Sequence, residues 1–247
     1  MALMISATLL HAVTPKLMSA TNAVQRDKWV DSVYNSMTPR QRIEQLFVPK
    51  VNPANIATAK QTIYKYVKTY GAGGLLFSKG TIEQYAQLTD YAQSLADVPL
   101  LMTLDGEWGP AMRVTGTTKF PYNMTLGAIS DPDLLYAYGR EVARECKLLG
   151  IPVNFAPVLD VNSNPDNPVI GFRSFGEDPA RVSTLANAFS RGLEDGGIMA
   201  VGKHFPGHGD TNVDSHKALP TVTHSLNKLK TTDLYPSNSS FLKATPA

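Results

Sequence analysis

Short apolar runs alternate with longer stretches of helical period along most of this chain. Five runs read as strands: Leu46-Phe47-Val48, Gly73 to Phe77, Pro99 to Asp105, Asn154 to Val161, and Ile198 to His204. They are near-continuously apolar rather than alternating, the pattern of a strand buried on both faces. Helices are predicted between them. Thr38-Pro39-Arg40-Gln41 opens one: Thr caps it, Pro takes the first helical position where its missing N–H costs nothing, and Gln closes a capping box. Ile82, Tyr85, Ala86, Thr89, Ala92 and Ala96 recur at helical spacing. Asp131-Pro132 caps a helix with an inward face of Leu135, Tyr138, Val142, Cys146 and Leu149. Asp178-Pro179 opens another, with Val182, Leu185, Ala186, Phe189 and Leu193 inward and Gly196-Gly197 ending it.

Strand, helix, strand, repeated in this way, implies an α/β protein with a parallel sheet covered on both sides. Polar residues at several strand ends point to the open face of a (β/α)8 TIM-barrel-type domain. A doubly wound open sheet is the alternative, but no Gly-x-Gly-x-x-Gly follows the first strand, which speaks against its dinucleotide-binding version. Strand starts are spaced by roughly 38 residues, so eight units need more than 247 residues, and an incomplete barrel of about five βα units is expected. The expected organisation is a signal-like or disordered N-terminus over 1–23, a partial barrel domain over 24–236, and an aberrant tail over 237–247 with no amphipathic period.

Composition narrows the partners. Lys and Arg number 23 against 21 Asp and Glu, a net charge of +2, too small for a polyanion-binding surface, so nucleic acid is not expected. With 43% hydrophobic and 18% charged residues the chain can fill a sizeable core. The single cysteine, Cys146, excludes an intramolecular disulfide and reads as core filler. Met1 to Leu10 is apolar apart from Ser6 and Thr8 and precedes the small-residue stretch Ser19 to Ala23, resembling a secretory signal without a basic n-region and suggesting a secreted or periplasmic protein. No other segment approaches the ~20 apolar residues of a membrane span.

Candidate chemistry lies in two stretches. Lys203 to His216 packs one Lys, three His and two Asp into a Gly/Pro-rich segment that begins at a strand end, where barrel strands deliver side chains to substrate. Asp214 and His216, two residues apart, can reach each other, and a carboxylate that holds an imidazole fixes its tautomer and raises its basicity, as a general acid/base requires. The same residues could ligate zinc, but the irregular spacing and absent Cys favour no metal and no cofactor. The second stretch, Asp160 to Asp178, is rich in Asn, Asp and Pro and carries Arg173 near two phenylalanines. Asp166 and Asn167 read as turn formers.

The string Lys203-His204-Phe205-Pro206-Gly207-His208-Gly209-Asp210-Thr211, followed by Asp214-Ser215-His216 and preceded by Asn167-Pro168-Val169-Ile170-Gly171-Phe172-Arg173-Ser174-Phe175-Gly176, resembles glycoside hydrolase family 3 of the N-acetyl-β-glucosaminidase type. The likeness runs from about Thr38 to Tyr235. It implies a barrel that removes β-linked N-acetylglucosamine from cell-wall or chitin-like glycans with retention, through a glycosyl-enzyme intermediate. By this resemblance Asp105 grips sugar hydroxyls, Arg113 is a second contact, and Arg173, Lys203 and His204 line the terminal-sugar subsite. His216 is the general acid/base, assisted by Asp214. Asp105-Gly106-Glu107-Trp108-Gly109-Pro110 departs from the commoner Asp-x-Glu-Gly-Gly-Arg, so Pro110 stands where an Arg is often found. The family's nucleophilic Asp belongs to a strand downstream of the His motif, a C-terminal segment expected to be missing here. A catalytically inactive chain that retains sugar binding is therefore the competing expectation.

Overall fold

A computed structural model of the chain describes residues 23–212, 221–222 and 224–242. Helix α1 (Ala23–Ser36) buries no residue. α2 (Pro39–Glu44) starts as its capping box dictates, with Thr38 and Gln41 bonded reciprocally. Then come β1 (Lys50–Val51), α3 (Ile56–Tyr64), β2 (Gly74–Phe77), β3 (Gly80–Thr81), α4 (Ile82–Leu95), β4 (Leu101–Leu104), β5 (Val114–Thr115), α5 (Asn123–Leu126), α6 (Pro132–Leu148), β6 (Val153–Asn154), α7 (Pro179–Asp195), β7 (Met199–Ala200), α8 (Leu226–Lys228) and α9 (Tyr235–Leu242). Asp131 and Asp178 cap α6 and α7 through their carboxylates, with Pro at the first helical position of each.

Strands β1, β2, β4, β6 and β7 form one parallel sheet in that order, while β3 pairs with β5 in a separate two-stranded ladder. Sequential strands that are also spatial neighbours, joined by helices, make a (β/α) barrel-type arrangement of five βα units. Leu75, Phe77, Met102 and Leu104 from the sheet are buried with Leu88, Leu135, Val142 and Phe189 from α4, α6 and α7. On α4 the buried face is Tyr85, Leu88 and Ala92; Ala86 is exposed. Gly139 and Gly192 bring α6 against α7: a Cβ on Gly139 would lie 2.4 Å from the Phe189 carbonyl oxygen, and one on Gly192 2.3 Å from that of Tyr136.

The Leu46-Phe47-Val48 run corrects the expectation of a buried strand. Its backbone runs beside β2, Gly73 N donating to Phe47 O at 3.2 Å, but Leu46 is 80% and Phe47 60% exposed. β1 is an outer strand of the sheet, so no further strand packs over this run among the described residues. The strand expected over Asn154 to Val161 is shorter too: the backbone turns at Ala156, whose N–H donates to Asn154 O, and pairing resumes only in an isolated bridge between Val158 and Lys203. Residues 1–22, and with them the signal-like N-terminus, lie outside the described residues. Some of the stretch expected as a tail is helical in α9. No described helix is long and apolar enough to cross a membrane.

Candidate active site

Five of the side chains singled out in the sequence converge beyond the carboxyl ends of β4, β6 and β7. Asp105 directly follows β4. Arg113 holds it with its guanidinium, NH2 to Oδ2 at 3.1 Å, and donates Nε to its carbonyl at 3.1 Å. Lys203, beyond β7, places Nζ against Asp105 Oδ1 and 2.8 Å from Glu107 Oε1. Arg173 makes a two-pronged bridge to Glu107, Nε to Oε2 at 2.9 Å and NH2 to Oε1 at 2.6 Å, and its NH2 lies 3.3 Å from His204 Nε2. Two carboxylates, two guanidiniums and one ammonium thus form a continuous charged network, with His204 at its margin.

Two buried carboxylates, Glu107 and Asp160, hold this network. Glu107 is 1% exposed. Burial pushes its carboxyl up, but hydrogen bonds from Arg173 and the charges of Lys203 and Arg173 outweigh it and hold the group below the usual carboxylate range. Burial likewise works against the Arg173 charge, and the Glu107 carboxylate, aided by Asp160 and Asp105, raises the guanidinium's pKa above its ordinary value. Asp160 is a second hub: its carboxylate accepts from His204 N at 3.2 Å and from His208 N at 2.7 Å, and faces His204 Nδ1 at 2.5 Å. With the proton on Nδ1, Nε2 of a neutral His204 presents a lone pair toward Arg173.

The supporting loops are fixed by amides. The Asn154 side chain accepts from Gly106 N at 3.0 Å and donates to Gly106 O at 3.1 Å, pinning the turn between Asp105 and Glu107. Asn167 donates to His208 O at 2.7 Å and accepts from Val169 N and Ile170 N, so its turn chemistry also ties the second stretch to the first. Gly209 is required where these loops meet, since a Cβ there would fall 1.6 Å from the Val161 carbonyl oxygen.

Asp214 and His216 lie outside the described residues. Glu107, Asp160 and His224 are not among the residues that the sequence pattern singles out. Glu107 has one signal, its position two residues after Asp105. His224 bridges two carboxylates, Nε2 to Asp210 Oδ2 at 2.6 Å and Nδ1 to the buried Asp233 Oδ2 at 2.8 Å, and nothing local marks it. Among the described residues no group of three or more His, Cys, Asp or Glu side chains is arranged to hold a metal.

Residues 38–245 match the profile of the glycosyl hydrolase family 3 N terminal domain. The chain belongs to this family. It is 39% identical over 207 residues to beta-hexosaminidase A of Pseudoalteromonas piscicida, covering 78% of this chain and 34% of that protein. The glycoside hydrolase family 3 beta-N-acetylglucosaminidase from Paenibacillus sp. str. FPU-7 is similar in structure, with a TM-score of 0.77 at 38% identity over 83% of this chain and 40% of that one. NagZ from Neisseria gonorrhoeae in complex with N-trifluoroacetyl-D-glucosamine gives a TM-score of 0.66 at 34% identity, over 78% and 59% of the two chains. The chain spans between about a third and a half of the length of the curated relatives it matches.

Proposed function

We propose that this family 3 chain carries the terminal-sugar subsite of a β-N-acetylhexosaminidase, acting on terminal β-linked N-acetylglucosamine of cell-wall or chitin-like glycans. The observation that supports this most is the network of Asp105, Arg113, Glu107, Arg173, Lys203 and His204 at the carboxyl end of a parallel sheet. A hexosamine offers hydroxyls that both donate and accept. Asp105 would accept from two of them, Lys203 and Arg173 would donate to hydroxyl oxygens, and Glu107 keeps both cations in place without needing to touch the sugar.

Cleavage needs more. In the retaining reaction that the family likeness implies, His216, steered by Asp214, gives a proton to the glycosidic oxygen as a carboxylate attacks the anomeric carbon. His216 then takes a proton from the water that releases the sugar. Every carboxylate of the described network faces a basic side chain: Asp105 faces Arg113 and Lys203, Glu107 faces Arg173 and Lys203, and Asp160 faces His204. Both oxygens of Asp105 and of Glu107 are taken up by these cations, and both of Asp160 by His204 and His208, so a sugar-binding chain without turnover is the second reading whenever no further carboxylate is supplied.

Calorimetric titration with N-acetylglucosamine, alongside chromophore release from a nitrophenyl β-N-acetylglucosaminide, tests both readings. Saturable binding with release supports the hydrolase, and binding without release supports the second reading. Folded protein that neither binds nor cleaves refutes both. We further read the apolar N-terminal residues as an export segment, so that cell fractionation should find the protein outside the cytoplasm.

A further inference from the structure

Beside the charged network lies an aromatic cluster that the catalytic reading leaves unused. Trp108 directly follows Glu107, and Phe172 directly precedes Arg173, so each ring starts one residue, about 3.8 Å of backbone, from a member of the buried Glu107–Arg173 bridge. Tyr122 comes from the turn before α5, and its neighbour Asn123 donates to Arg173 O at 2.8 Å. Three separate segments, two carrying the members of that ion pair and the third tied to the Arg173 main chain, therefore bring their rings together. Trp108 and Tyr122 lie 4.8 Å apart edge to face, Tyr122 and Phe172 4.6 Å apart, and Trp108 and Phe172 6.4 Å apart.

These rings pack on one another yet face water: Tyr122 is 48% and Phe172 55% exposed, and Trp108 is partly buried. Single exposed apolar side chains are ordinary, whereas a contiguous aromatic cluster beside a charged network marks a binding surface. A pyranose ring pairs with such a surface because its axial C–H groups form an apolar, slightly positive face, which meets the negative face of an aromatic ring. Its equatorial hydroxyls stay in solvent.

We propose that Trp108, Tyr122 and Phe172 form a stacking subsite for the second sugar ring of a β-linked oligosaccharide whose terminal ring occupies the Asp105–Lys203–Arg173 network. The proposal rests on the hexosaminidase reading for the identity of the first ring. The cluster's continuity with that network selects a saccharide as occupant over a second copy of this chain or a protein partner.

The test is calorimetry of the full chain with N-acetylglucosamine and with its β-1,4 disaccharide in the non-hydrolysable sulfur-linked form, backed by quenching of Trp108 fluorescence in a Trp29→Phe background, Trp29 being an exposed residue of α1. The disaccharide is expected to bind about tenfold tighter than the monosaccharide, which corresponds to about 1.4 kcal/mol, the upper part of the range for one well-formed aromatic contact. Phe172→Ala and Tyr122→Ala should each remove most of that gain while changing monosaccharide affinity by less than about twofold, and Phe172→Trp should retain it. Equal affinity for the two sugars, or equal weakening of both by Phe172→Ala, overturns the subsite. So does self-association that is abolished by Phe172→Ala, which would assign the cluster to a second copy of the chain. If the wild-type chain binds neither sugar, the hexosaminidase reading falls and the subsite with it. If it binds the monosaccharide alone, only the subsite falls.

Discussion

Replacing Glu107 by Gln keeps the shape of a side chain that is 1% exposed and removes one negative charge. Arg173 and Lys203, with side chains 18% and 16% exposed, then share a poorly hydrated space with one fewer counterion. Breaking one side of a buried ion pair costs about 3–5 kcal/mol. Lys203 keeps Asp105, and a Gln oxygen can still accept from Arg173, so the lower end, ~3 kcal/mol, is expected. For a chain of this size that corresponds to a fall in melting temperature of about 6–12 °C. Thermal unfolding at pH 7 followed by far-ultraviolet circular dichroism measures it. Arg173→Met in the same background should cost less than it does alone, because the two changes act on one bridge. A Glu107→Gln variant that melts within about 2 °C of the parent would refute the reasoning, since it would mean that solvent already screens the pair.

The same carboxylate sets a pH dependence: Glu107 titrates below the usual range when folded, so its contribution is present above about pH 4.3 and is lost as pH falls through the lower folded value. The melting gap between the parent and Glu107→Gln should therefore be full at pH 7 and close in strong acid. Gly209→Ala would place a methyl group against the Val161 carbonyl and force the loops around it to separate, so N-acetylglucosamine affinity should drop at least about tenfold in calorimetry. His224→Ala deprives the buried Asp233 of its imidazole donor and should cost about 1–3 kcal/mol in urea unfolding. Cys146 is fully buried, and burial, with the Glu145 charge, pushes its thiol up to about 12, so it should stay unreactive toward a disulfide reagent at pH 8 until the protein is denatured.

Signals that act over a few residues are readable in the chain. The caps at Thr38, Asp131 and Asp178 start their helices where the side chains say, because a capping hydrogen bond is decided within three positions. The inward faces of α6 and α7 follow equally well from period alone. Leu46-Phe47-Val48 misleads because an apolar run says nothing of whether a neighbouring element covers it. Asp105, Arg113, Arg173, Lys203 and His204 do meet, and strand-end position with the family likeness is enough to gather them. Glu107 and Asp160 stay hidden because a buried carboxylate is intelligible only through its basic partners, which are 66 and 44 residues away along the chain. The aromatic cluster is hidden for the same reason, its rings coming from three distant turns.

The glycine-to-glycine seam between α6 and α7 has an effect on the opposite side of the sheet. α6 feeds into β6 and α7 into β7, so two helices whose main chains touch behave as one slab and dictate how far those strands slide past each other. Asp160 lies past the end of β6 and Lys203 and His204 past the end of β7, so the registration of these two strands bears on how the three side chains meet. A methyl group added at Gly192, remote from any sugar, should thus surface as an altered affinity, the outer wall of the protein acting as the ruler for its inner one.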